Sequence, residues 1–372
     1  MVKIVNGDNE MTVRALIDNG SQRSYLRKDV AQKLGIQPSG FWSLELLGIR
    51  DPVESKSKIQ AEAEAVMSFE ESITVNAEGR YEVSLPLKVG HEDLLSNRGL
   101  AEKRLVATTK RLVSSGKFHE YNSIIESWEK QGIVEKVPIE EIKLTSHYLP
   151  HRGVVKDSSL TTKLRPVYDA SACDKNGRSL NSYLNKGVNY LDKIPHILTG
   201  FRKGAIGISA DIAKAFLQVS IKSTDRDYLR FLWWENEAHN NMIEYRHCRV
   251  VFGLTSSPFL LSATISHHLK QVTGKEQDTS KMLAKSFYVD NCLTSLDTKE
   301  ETSKFITEAK EVMNQAMFDL RQWVTSLKEI NETGEKIISV LGLLWDTETD
   351  KLWCNLINFP AAIGTISKKE LM

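Results

Sequence analysis

Residues 204–221 read GAIGISADIAKAFLQVSI: an apolar strand that ends on Asp211, then a turn with Phe216, then a second strand. Further on, residues 285–296, KSFYVDNCLTSL, set Asp290 in the tight turn of a hairpin between two hydrophobic runs. Acidic turn residues this far apart in sequence can converge on one edge of an antiparallel sheet. Nucleotidyl transfer needs such a pair, because two Mg²⁺ ions clamp the attacking oxygen and the leaving pyrophosphate, and hard cations take carboxylate oxygens. An Asp after a strand is ordinarily just a turn former, so the surrounding sequence has to decide.

Working outward, residues 81–87 (YEVSLPL) and 161–171 (TTKLRPVYDAS) read as strands, and Leu100 to Val113 and Tyr121 to Gln131 have helical spacing. Helices and strands alternate irregularly to Trp353, which predicts an α+β fold and not a regular βαβ array. Near the N-terminus, residues 11–18 (MTVRALID) alternate as a half-buried strand, Asn19-Gly20 breaks it, and Lys28 to Leu34 is a short helix. Asp51 to Glu71, charged, Ala-rich and periodic only in places, is taken as linker.

Composition sets the bounds. The chain has 372 residues, 41% of them hydrophobic, enough for two or three domains and a sizeable core. Lys+Arg 49 against Asp+Glu 48 leaves +1, so any nucleic acid must be held by a local cleft and not by a global basic field. Four dispersed cysteines with no C-x-x-C pair argue against a zinc ribbon and against a disulfide framework, and fit a reducing compartment. No apolar leader and no run near ~18 apolar residues is present, so a soluble, cytoplasmic protein without a membrane partner is expected.

With its flanking text included, the sequence resembles the polyprotein of BEL/Pao-type LTR retrotransposons. The motifs, in the family's order, are GRYEVSLPLK, HYLPHRGVVK and TTKLRPVYDASA, then SLNSYLNKG, ADIAKAFLQVSI, DRDYLRFLW, VVFGLTSSPFLLSATI, YVDNCLTSL, FDLRQW and VLGLLWD. The resemblance implies the fingers and palm of a right-hand polymerase with an antiparallel palm sheet (79–353). A retropepsin-like remnant (1–40) and a linker region (41–78) precede it, and the start of a truncated thumb (354–372) follows.

By that resemblance Asp211 is the first catalytic aspartate and ligates both Mg²⁺ ions, Ile212 offers a backbone carbonyl to metal, and Asp290 is the second metal-binding carboxylate. Phe216 matches the steric gate that selects deoxynucleoside triphosphates, although a core aromatic would read the same. Lys163 and Arg165 match the triphosphate grip, where an Arg fork suits phosphate; basic residues on a solvated strand are the plainer alternative. Phe252 and Gly253 begin a turn that contacts nucleotide and template, with Gly253 allowing close backbone approach. LGLLWD (341–346) matches the hairpin that positions the primer end, or an amphipathic core strand.

Three departures matter. The family hairpin reads Tyr-x-Asp-Asp, whereas this chain has Tyr288-Val289-Asp290-Asn291, so the metals lose one charge. ALIDNGSQRSYL (15–26) resembles the retropepsin catalytic loop with Asp18 as its aspartate, but the flap and later strands are missing, so protease activity is not expected. The sequence ends at SKKELM, and RNase H and integrase regions are not in it, as in a partial element. Two readings stand: an RNA-directed DNA polymerase fragment acting on an RNA or DNA template with primer, its activity impaired, or a non-catalytic remnant that at most binds primer-template. An intact element would place the protein in a virus-like particle. Two histidine pairs are discounted: His147 and His151 as structural, since Pro150 disrupts a helix between them, and His267 and His268 as surface residues.

Overall fold

The computed structural model describes residues 2–6, 9–13, 52–88, 94–155, 164–236, 239–332 and 334–354. The chain divides into two compact units. In one, Val2–Asn6 pairs antiparallel with Asn9–Val13, and Ile337–Val340, Leu343–Asp346 and Lys351–Cys354 form an antiparallel sheet. The LGLLWD motif thus supplies a tight turn, with Leu341 at φ 47° and Gly342 at φ 86°, and the strand after it. Asn9–Val13 covers the start of the strand expected at 11–18, and residues 14–18 lie outside the described residues. Asp18, the protease-like loop and the expected helix at 28–34 lie outside the described residues.

The other unit, residues 61–336 with 347–350, carries Asp211 and Asp290. One expectation is refined here: the stretch taken as linker contains a helix, Pro52–Ser72. Pro52 occupies the first turn, where its missing N–H costs nothing, and Ala, Glu and Lys are strong helix formers. Among its described side chains Ala65 and Phe69 are buried, and the Phe69 ring meets Phe259 edge-on at 5.9 Å. So sparse an apolar stripe leaves little periodicity to read.

Helices Arg98–Ser114 and Phe118–Lys130 fall where the spacing predicts them. They pack on a three-stranded antiparallel sheet, ordered Arg230–Trp234, Met242–His247, Val134–Lys136, and on the hairpin of His151–Val155 with Leu164–Tyr168. The core between them is aromatic: Tyr121, Tyr168, Phe231 and Trp233 are all buried. His151 sits among these rings, accepting from Tyr121 Oη at 2.6 Å and donating to the Leu232 carbonyl at 2.9 Å. Burial holds its pKa down at about 4, so it stays neutral and structural.

The central sheet is fully antiparallel, in the order Phe287–Tyr288, Asn291–Leu296, Ile206–Ile212, Leu320–Thr325. Helix Ser257–Gln271 packs on Gln277–Ser286, and the sheet is flanked by Gln277–Ser286 and Lys299–Asn314. The last begins at a reciprocal cap in which Thr298 and Glu301 satisfy each other's backbone N–H. One expectation fails at His268, which is buried within the Ser257–Gln271 helix and not on the surface. It donates to the Val312 carbonyl at 2.7 Å and accepts from Tyr81 Oη at 3.2 Å. The fold is α+β, as the irregular alternation predicts.

Candidate active site

The site forms at one edge of the central sheet. Ile206–Ile212 is an apolar strand, buried at Ile206, Ile208, Ala210 and Ile212, and Asp211 alternates out of that row. Its neighbour Asn291–Leu296 pairs in register, with Asn291 directly opposite Asp211 and Cys292 opposite Ala210. Only Val289 and Asp290 connect Tyr288 to Asn291, so the hairpin has a two-residue turn. Val289 stands at φ 56°, the sign a type II′ turn demands of its first central residue and one that a β-branched side chain rarely adopts.

This tight turn carries Asp290 to the end of the strand bearing Asp211. The Ile212 N–H donates to the Asp290 carbonyl at 3.0 Å. The Asn291 Nδ2 donates to Asp290 Oδ1 at 2.9 Å. Residues that lie far apart in sequence thus share one edge.

The electrostatics follow from this arrangement. Burial, reinforced by the Asp290 charge, pushes the Asp211 carboxyl up to about 7, against the pull of the Ile212 N–H, Arg321 and Arg165. Asp290 is also raised, mainly by burial, with its own backbone N–H, Asn291 and Arg165 opposing. Two half-buried carboxylates that repel each other suit a divalent cation, which relieves both costs with hard oxygen ligands. Asp211, Asp290 and the Ile212 carbonyl are the oxygens that would hold it. Asn291 adds a neutral amide beside Asp290. Among the described residues no group of three or more His, Cys, Asp or Glu gathers as a metal cluster.

Of the residues expected to contact substrate, four are described. After Asp211 the chain turns through Lys214, at φ 49°, into the short helix Ala215–Gln218. Phe216 is buried there, and its ring meets Phe252 edge-on at 4.7 Å; Phe252 itself is exposed. Gly253 follows at φ 115°, and a Cβ there would lie 2.0 Å from the Tyr168 carbonyl oxygen, so only glycine fits. Tyr168 ends the strand that carries Arg165, whose charge acts on both Asp211 and Asp290. Lys163 lies outside the described residues.

Two residues escape a reading of motifs. Asn181 grips the Gly253 turn: its Oδ1 accepts from the Thr255 N–H at 2.9 Å, and its Nδ2 donates to the Gly253 carbonyl at 2.9 Å. Arg321 pairs with Asp211 from the strand on the side away from Asn291. Both lie in recognisable motifs, SLNSYL and FDLRQW, but their roles depend on pairings that a sequence does not display. A cavity of about 600 Å³, lined by Leu94, Arg98, Leu144, Tyr148 and Glu244 among others, lies on different elements from the carboxylates; the candidate site is an open edge.

Residues 154–327 match the family described as reverse transcriptase (RNA-dependent DNA polymerase). The sheet edge with Asp211 and Asp290 falls inside the matched residues. The chain is also similar to the crystal structure of prototype foamy virus protease-reverse transcriptase, at a TM-score of 0.46 and 15% identity, over 82% of this chain and 33% of that one. It thus spans about a third of the length of that protein. No curated protein matches it.

Proposed function

We propose that this chain is the fingers and palm of a reverse transcriptase from a BEL/Pao-type LTR retrotransposon polyprotein, built for two-metal nucleotidyl transfer and impaired by Asn291. The domain limits proposed are a retropepsin-like remnant at 1–40, a linking region at 41–78, fingers and palm at 79–353, and the start of a thumb at 354–372. The observation that carries the reading is the register that sets Asn291 opposite Asp211 and brings the Asp290 turn against Ile212. Substrates are a primed RNA or DNA template and deoxynucleoside triphosphates. The cytoplasm is the proposed location; no described helix is long and apolar enough to cross a membrane.

In this reading the bound Mg²⁺ ions supply charge neutralisation at the attacking oxygen and the transferred phosphoryl. The protein's part is placement. Asp211 and Asp290 supply anionic oxygens at the edge, and Arg165 offers a planar fork to the triphosphate. Phe216, braced by Phe252, fills the space beside the sugar, so that a 2′-hydroxyl would collide with the ring. Gly253, held by Asn181, lets the backbone approach the nucleotide.

The second reading, a remnant that only binds primer-template, is favoured by Asn291. Replacing a carboxylate with an amide removes an anionic ligand and lowers the stabilisation of charge that develops in the transition state. Primer extension in Mg²⁺ separates the two. Asn291→Asp should raise extension by about tenfold or more, and Asp211→Asn should abolish it in either background. Extension still undetectable in Asn291→Asp, with primer-template binding intact, would establish the remnant instead.

A further inference from the structure

Arg321 lies directly across from Asp211 on the neighbouring strand, so the two side chains leave the same face of the sheet with Cβ atoms ~5 Å apart. The pairing then breaks. Leu320 opposes Ile212 and Arg321 opposes Asp211, but the next pair is Val324 with Ser209, so Gln322 and Trp323 together oppose Ala210. Gln322 takes φ 57° to make this bulge. Had the pairing continued without it, Trp323 would stand opposite Ser209, on the face shared by Asp211 and Arg321.

The bulge instead sends Trp323 into the core, where it is fully buried and meets Phe305 edge-on at 6.3 Å. Its backbone is secured: the Trp323 N–H donates to Glu332 Oε2 at 3.2 Å, the Glu332 N–H donates back to the Trp323 carbonyl at 2.9 Å, and Lys310 Nζ donates to Glu332 Oε1 at 2.9 Å. Bulges beside active sites re-aim side chains, and this one keeps the Trp323 ring off the face that Arg321 shares with Asp211. Arg321 is substantially exposed. Its ion pair, to the still more exposed Asp319 at 3.8 Å, is of the surface kind that contributes little. Its positive charge is felt at Asp211.

We propose that Arg321 is a phosphate-binding residue of this site, taking an oxygen of a substrate phosphate beside Asp211. The inference rests on the nucleic-acid reading above and adds to it a residue and a chemistry. A guanidinium presents several N–H donors in a fixed fork that fits phosphate oxygens, and the exposed one here keeps most of them for a ligand. With Asn291 neutral, Asp211 and Asp290 are matched by two guanidinium groups, Arg321 from the sheet and Arg165 from the fingers hairpin. Phosphate binding through these guanidinium groups does not itself require a divalent cation.

The test is binding, read without catalysis. Fluorescence anisotropy with a primer-template duplex, in EDTA and over a salt series, should show retained affinity for the unaltered chain. Arg321→Gln should lower the slope of log affinity against log salt by about 0.9 and weaken binding roughly three- to tenfold. Arg321→Lys, which keeps the charge, should keep the slope, an outcome that a purely structural role does not produce and that holds even if the Gln variant folds poorly. A parallel titration with a deoxynucleoside triphosphate tells chain phosphate from nucleotide phosphate; loss on either ligand supports the proposal. It is overturned if Arg321→Gln changes neither while Arg165→Gln weakens one of them. If the unaltered chain binds neither ligand at any salt concentration, the nucleic-acid reading itself fails.

Discussion

Replacing Asp211 by Asn should stabilise the protein at pH 8 and leave it almost unchanged at pH 4. The Asp211 carboxyl is raised from 3.8 to about 7, by burial first and by Asp290 second. Because the folded value lies above the unfolded one, ionisation opposes folding. The favourable contribution is complete below the unfolded pKa and is lost as pH rises through about 7. A shift of that size corresponds to about 4 kcal/mol for a fully enclosed group. Asp211 is only half-buried, and solvent screening brings the figure down to about 2 kcal/mol. For a folded unit of this size that is a gain of roughly 4–8 °C in melting temperature. Asn is nearly isosteric, so packing around Ala210 and Ile212 should not change. Thermal unfolding followed by circular dichroism in EDTA, at intervals from pH 4 to pH 8, gives the comparison directly. Equal melting temperatures at pH 8, or a gain as large at pH 4, would refute the claim that burial and Asp290 strain this carboxylate.

Two further outcomes follow from the same geometry. Gly253→Ala should cost about 3 kcal/mol or more, because the new Cβ meets the Tyr168 carbonyl and the backbone sits at φ 115°; chemical denaturation measures it, and a loss under 1 kcal/mol would contradict the packing described. In the Asp211→Asn background, stability should decline as pH falls from about 6.5 towards 4. His151 and His247 are held neutral by burial, at about 4 and about 3, and their contribution is present above the unfolded value and lost as pH falls through the folded one. His151→Gln should flatten that decline.

How much of this could be read from sequence depends on the range of the interaction. Asp211 and Asp290 were legible because each ends an apolar run, and a local pattern of strand and turn is enough to mark it. Gly253 and Phe216 were legible only through resemblance, since an isolated glycine or aromatic carries no sign of the partner it will meet. The helix Pro52–Ser72 was missed because its described side chains bury little beyond Ala65 and Phe69, and a polar helix with so thin an apolar stripe looks like a linker. His268 was misread because its partners, Val312 and Tyr81, are distant in sequence and unmarked. Arg321 needed the strand register and the bulge after it, both fixed by long-range pairing and by Glu332, nine residues on from Trp323.

The central claim is that Asp211 and Asp290 form a divalent-cation site weakened by Asn291, and calorimetric titration of the whole chain with Mn²⁺ at pH 8 tests it most directly. The account predicts weak binding by the unaltered chain, affinity increased by about tenfold in Asn291→Asp, and no measurable binding in Asp211→Asn. Equal affinity in all three proteins would contradict it.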